Sequence, residues 1–300
     1  MGGTERGTDG KLFNRSTSKM WILVAMAAVS TAAILIKLSS SHPLAIAAWR
    51  LLIADAILLP FFIWTFRKER FTIGRKRFFQ LGAVGLALAL HFGMWIWSFQ
   101  MTKVSSSVVL VTTHPLFVAA ISVALFKEKL NFRAVLGMII ALLGSFLLIA
   151  GDLTISKETL TGNLLALGGA VMAGIYILAG SRFRKNISLP GYAFIVYLWA
   201  ALFLLIAILV GGIGFLSSSP TEYLILFALA VGPMLAGHTI YNWALKYVSP
   251  TFVSVSLLGE PVGSTVLAML ILAEMPGAGA IIGGPVVLAG IYLVAVNTKN

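Results

Sequence analysis

Ten times along this chain a stretch of about twenty apolar residues recurs with a polar break before the next, and that length is what a helix needs to cross a bilayer. The runs fall at roughly 20–38, 43–66, 78–101, 104–126, 131–150, 161–181, 190–211, 221–245, 250–273 and 278–297. Each is continuously apolar instead of alternating, which points to helices and away from barrel strands. Only 11% of the 300 residues are charged, against about 25% in a soluble domain. The expected fold class is therefore an all-α integral membrane protein with ten transmembrane helices. With no cysteine in the chain, disulfides, thiolate metal sites and cysteine nucleophiles are excluded.

The net charge of +12 would suit nucleic acid, but the placement of the charges argues otherwise. Of 22 basic residues, 18 lie in one alternate set of loops, including Arg67, Arg75, Lys127, Lys129, Arg133, Arg182, Lys185 and Lys246. The other set holds only Lys103 and Lys157, while Lys37 and Arg50 lie within or near apolar segments. That bias follows the positive-inside rule and places both termini in the cytoplasm. No nucleic-acid partner is expected. Residues 1–18 read as a cytoplasmic tail, and the first apolar run as a retained helix rather than a signal peptide, since nine more follow.

Shifting the chain by 146 residues aligns its halves without a gap from about 92 to 150. Trp97 falls on Trp243, Pro115 on Pro261, Glu128 on Glu274, Gly137 on Gly283 and Gly144 on Gly290. The expected organisation is one transport domain made of two five-helix repeats, 19–151 and 160–298. Five is odd, so the second repeat enters the membrane from the opposite side. Inverted repeats of this kind build secondary transporters around a site near the midplane.

Polar residues at membrane depth mark candidate sites. Glu260 lies near the centre of the ninth helix, and His114 holds the matching position in the fourth, each directly before a proline. Pro115 and Pro261 are read as kink or gating positions that free the carbonyls of Val111 and Leu257. Ser256, Glu260 and Ser264 share one helical face. Arg50 and Asp55 sit in the second helix, five residues apart, a poor spacing for a direct pair. His91, Trp95, Ser98 and Thr102 share a face of the third helix, and His238, Tyr241 and Asn242 cluster in the eighth. Aromatic rings with a few polar tips can line a pocket for an amphipathic solute. Small residues at 169, 170, 173 and 174 favour close helix contact, and the glycines of the fifth and tenth helices assign those two to support.

On these features the chain resembles the EamA family of the drug/metabolite transporter superfamily over nearly all of 20–297. The resemblance rests on Lys37, Pro43 and Arg50 in "ILIKLSSSHPLAIAAWRLLIA", on "HPLFVAAISVALFKEKLNFRAVLGMIIALLGSFLLI", and on the Glu260-Pro261 segment with its distal Glu274. It implies two inverted five-helix repeats around a central cavity and export of small metabolites. Many members carry Trp-Gly in the first helix, where this chain has Val29-Ser30.

The leading expectation is a secondary transporter in the cell inner membrane, exporting amino acids or related small metabolites by alternating access. The alternative is a carrier of anionic metabolites such as sugar phosphates or nucleotide-like solutes, and a different class is a non-transporting receptor or assembly subunit. Glu260 and His114 are the candidates for proton coupling, and a homodimer is left open. No cofactor or metal is expected, since there is no GxxxxGK[ST] loop and no HExxH, and the four histidines lack ligand spacing. An enzyme is not expected.

Overall fold

The computed structural model describes residues 15–69, 73–149, 156–217, 219–273, 275 and 278–297. Residues 1–14 of the expected tail, the junction 150–155 and Glu274 lie outside the described residues. Among the described residues nine helices are long and apolar enough to cross a membrane: α1 (Met20–Leu38), α2 (Pro43–Arg67), α3 (Arg75–Ser98), α4 (Val104–Leu125), α6 (Lys157–Phe183), α7 (Leu189–Val210), α8 (Pro220–Ala244), α9 (Pro250–Ile271) and α10 (Ala278–Asn297). A shorter apolar helix, α5 (Phe132–Leu148), completes the ten. No strand occurs among the described residues. Helix continues from α1 back to Arg15, so the expected tail 1–18 overlaps it over residues 15–18.

Side chains start several helices. Asn131 accepts from the Ala134 N–H at 2.7 Å to open α5, and Ser249 accepts from the Phe252 N–H at 3.2 Å to open α9. Ser156 and Thr159 cap one another's backbone at the start of α6. Each such bond satisfies an amide that the first turn leaves without a partner. Large apolar side chains such as Leu125, Leu209, Val210 and Leu224 stay outside, as expected where the surrounding solvent is lipid.

Packing follows the repeat. α1 packs on α8 and α9, and correspondingly α6 packs on α3 and α4; α2 meets α7 and α5 meets α10. Exchanging the two halves leaves this pattern unchanged. The tightest seam joins α5 to α10. A Cβ on Gly137 would meet the Gly290 carbonyl oxygen at 2.8 Å, and one on Gly283 would meet the Gly144 carbonyl oxygen at 2.5 Å. The 146-residue shift turns the first contact into the second, which is what a two-fold relation between antiparallel helices requires. Lys127 and Ala273, also 146 apart, both close their helices in the left-handed region, with φ of 54° and 53°.

The prolines do more than kink their helices. α4 is divided into Val104–Val111 and His114–Phe126, and α9 into Pro250–Ser256 and Glu260–Leu272 with a tight 3-10 turn between. In that turn the Glu260 N–H donates to the Leu257 carbonyl. This corrects the expectation that Leu257 keeps a free carbonyl, because the chain tightens to i→i+3 bonding where Pro261 interrupts the ladder. In α4 the break is helped by Thr112 and Thr113, whose hydroxyls donate back to the carbonyls of Val108 and Leu110 at 2.9 and 2.7 Å.

Candidate functional site

The two broken helices place His114 and Glu260 at the first turns of matched thirteen-residue half-helices. A helix N-terminus carries partial positive charge and unpaired N–H groups, so it suits an anionic group nearby. Both residues line one cavity of about 30 Å³, room for a water or two. Its walls come from α1, α3, α4, α6, α8 and α9, three helices from each repeat at equivalent positions. α5 and α10 contribute nothing to this lining, in keeping with a supporting role.

Seven of the nine candidates read from the sequence meet here: His91, Trp95, His114, His238, Tyr241, Asn242 and Glu260. Trp95 and Tyr241 are mates under the 146-residue shift, as are Val111 and Leu257. The wall is aromatic: His91 stacks on Trp95 with centroids 5.9 Å apart, and His238 meets Phe92 edge-on at 5.1 Å. His238 reaches this position from a ten-residue π-helical stretch, Ala230–Thr239, that contains Pro233. The wide turn is visible in Thr239, whose hydroxyl donates to the Met234 carbonyl five residues back at 3.1 Å. The equivalent part of α3 is ordinary α-helix, so the histidines of the two repeats enter the cavity out of register.

Arg50 and Asp55 do not line the cavity. Arg50 is fully buried, with its guanidinium 4.1 Å from the centroid of Phe92, and Phe92 meets His238 edge-on. It therefore does not snorkel to the interface. None of its three nitrogens has a hydrogen-bond partner, nor does either Asp55 oxygen, so the two make no direct pair. Arg50 lies within electrostatic reach of Glu260.

Several cavity atoms are buried without partners: Glu260 Oε1, His114 Nδ1, Asn242 Oδ1, Trp95 Nε1 and Tyr241 Oη. Leaving polar groups without partners in this way is costly, and all five belong to residues that line this one cavity. Other polar groups nearby are satisfied. His91 Nδ1 pairs with the Gly169 carbonyl at 3.0 Å, where a glycine lets the two helices approach. Ser98 bonds Ser107, and Thr102 donates to Asn163 at 2.8 Å. Ser256 and Ser264 donate to carbonyls in their own helix, at 2.7 and 3.1 Å.

Sequence reasoning missed the layer beneath the cavity. The Asn242 amide donates to the hydroxyls of Tyr176 and Tyr197, at 2.5 and 3.1 Å. Tyr197 in turn pairs with Thr239 at 2.9 Å. Arg184 donates to the Asn242 carbonyl at 3.0 Å and also to the Ile187 carbonyl. Burial lowers the Arg184 pKa to about 10, leaving it charged at neutral pH. Tyr176 follows Gly169 and Ala173 on one helical face, and that spacing was the available signal. On the opposite loops Glu222 gathers Ser39, Ser40 and Ser41, accepting from the Ser40 N–H at 3.0 Å.

The EamA-like transporter family model matches this chain twice, over residues 17–150 and 160–296. The chain belongs to the EamA-like transporter family. The double match coincides with the repeat read from the 146-residue shift. Among curated relatives, the uncharacterized transporter YdfC of Bacillus subtilis (strain 168) is 28% identical over 268 residues, covering 85% of this chain and 83% of YdfC. An uncharacterized transporter of Archaeoglobus fulgidus is 24% identical over 265 residues, covering 86% of this chain and 89% of its own. A crystal structure at 20% identity superimposes with a TM-score of 0.78 over 95% of this chain and 98% of the other, which shows the shared fold. The protein is thus a multi-pass membrane transporter of the EamA-like family.

Proposed function

We propose that this transporter exports amino acids or related small metabolites by alternating access, from an inner membrane with both termini in the cytoplasm. The observation that carries the reading is the set of unpartnered polar atoms around the cavity between the repeats. Glu260 and Asn242 offer acceptors for an ammonium group. Trp95 and Tyr241 offer donors for a carboxylate, and the aromatic wall suits an apolar side chain. A zwitterion with a small side chain satisfies both kinds of group. A purely anionic solute finds fewer partners, because among the described residues no lysine or arginine lines the cavity and Arg50 stands behind Phe92.

At about 30 Å³ the cavity holds no amino acid, so a change of shape must accompany binding. Matched helix breaks at 112–113 and 257–259 supply places where half-helices can swing. Glu260 and His114 are the proposed coupling groups for protons. The test is a thermal-shift screen of the purified protein against amino acids, nucleosides, sugar phosphates and amphipathic drugs, followed by counterflow of each hit in proteoliposomes. Stabilisation and counterflow by zwitterionic amino acids support the reading. A response confined to sugar phosphates contradicts it.

A further inference from the structure

A second hollow, about 980 Å³ and open, lies on the basic face between the α4–α5 loop, the end of α6 and the α8–α9 loop. Five cations line it, Lys127, Lys129, Arg182, Lys185 and Lys246, against one carboxylate, Glu128. One oxygen of that carboxylate accepts from the Thr251 hydroxyl at 2.8 Å, and the other is buried without a hydrogen-bond partner. The positive-inside rule accounts for cations on this face but not for their gathering around a deep basin. One residue, Leu245, lines both this basin and the central cavity. It is buried and packs against Gly180, where a Cβ would come within 2.7 Å of Leu245 Cδ1. Its mate under the 146-residue shift, Phe99, packs edge-on against the cavity residue Trp95 at 5.5 Å.

We infer that the basin is the mouth of the transport path on the basic face, that it gathers free solutes by their carboxylate or phosphate groups, and that Leu245 is the plug between it and the central cavity. This rests on the transport reading of that cavity. A ring of like charges around a low-dielectric hollow focuses the field and raises the local concentration of opposite charge. The Leu245 side chain closes the passage by packing against Gly180, and a displacement of the α8 end that opens it also parts Arg184 from the Asn242 backbone carbonyl.

The absence of cysteine from the natural chain makes the test direct. The full chain in phosphatidylcholine nanodiscs carries a single cysteine, either Val111→Cys in the cavity wall or Ser249→Cys in the basin. Methanethiosulfonates bearing a sulfonate or a trimethylammonium group serve as probes. Adding Leu245→Ala is expected to speed labelling of Val111→Cys at least about tenfold, with Leu245→Val intermediate. At Ser249→Cys the sulfonate reagent is expected to gain about fivefold or more over the cationic one, relative to a free thiol, and to lose that gain in Arg182→Gln/Lys246→Gln or in high salt.

Soluble glutamate or phosphate should slow the Ser249→Cys reaction in these neutral lipids. Slowing seen only when anionic phospholipid is incorporated makes the basin a lipid site and overturns the inference. So does an unchanged Val111→Cys rate in both Leu245 variants, provided each elutes as a single folded species. Labelling needs no turnover, so failure to transport amino acids contradicts the transport reading while leaving these rates to judge the mouth.

Discussion

Glu260 and His114, 146 residues apart and first in matched half-helices, line the same cavity of about 30 Å³. The two-fold relation of the repeats brings them together, and their chemistry breaks the symmetry. One half supplies a carboxyl group and the other an imidazole, at equivalent positions before Pro261 and Pro115. The placement of the half-helices is shared between the repeats, whereas the residue before each proline is not.

The glycine seam makes a stability prediction. Gly290→Leu forces a side chain into the backbone of α5 and should destabilise the protein by about 1–3 kcal/mol or more. Because the contacts are two-fold related, Gly144→Leu should cost a similar amount. Thermal unfolding in detergent measures both. Two near-neutral variants would contradict the packing described, and Gly214→Leu, at an exposed glycine where an added Cβ meets nothing within 4 Å, serves as the control.

Asn242 ties the cavity to the layer beneath. Asn242→Leu takes the donor from the Tyr176 hydroxyl and leaves Tyr197 with Thr239, and a stranded buried group costs about 1–3 kcal/mol. Tyr197→Phe removes one hydroxyl, after which Asn242 keeps Tyr176 and Thr239 keeps the Met234 carbonyl, so it should be milder. Unfolding midpoints that rank wild type, Tyr197→Phe and Asn242→Leu in descending order are expected. A Tyr197→Phe variant less stable than Asn242→Leu contradicts the network.

Tyr241 and Trp95 are assigned to ligand binding more than to folding, since Trp95 Nε1 has no partner in the protein and the Tyr241 hydroxyl lies near Ser256 without a close hydrogen bond. Tyr241→Phe removes the hydroxyl and no packing. It should leave stability unchanged or slightly raised while weakening ligand affinity about tenfold, the worth of one lost hydrogen bond of about 1.4 kcal/mol. Calorimetry with an amino acid identified by screening gives the affinity, and equal affinities would remove the hydroxyl from the site.

The architecture was legible because its causes are written in runs and periods. Bilayer thickness sets the length of the ten helices, and Pro115/Pro261 with the paired glycines expose the repeat. Seven cavity residues were legible because a polar group at membrane depth is conspicuous. Arg50 was equally conspicuous yet lies behind Phe92, since helix rotation is set by packing and the second helix is apolar nearly all round. Leu245 and Tyr176 could not be told from ordinary packing residues. The π-helical stretch at Ala230–Thr239 shifts register by less than the periodicity over ten residues resolves. The break at Thr112–Thr113 depends on hydroxyl bonds to the preceding turn, a local competition that Pro115 alone did not reveal.

The most direct test of the central claim is binding and counterflow of a screened amino acid by wild type, Glu260→Gln and the exposed control Glu158→Gln, at matched folded fractions. Glu260→Gln keeps the shape and removes the carboxyl group proposed to receive the ammonium group. A charged partner buried at a binding site is worth about 2–5 kcal/mol, so affinity should fall at least about tenfold and counterflow should be lost, with Glu158→Gln like wild type. Wild-type binding and counterflow by Glu260→Gln would contradict a substrate site at the junction of the repeats.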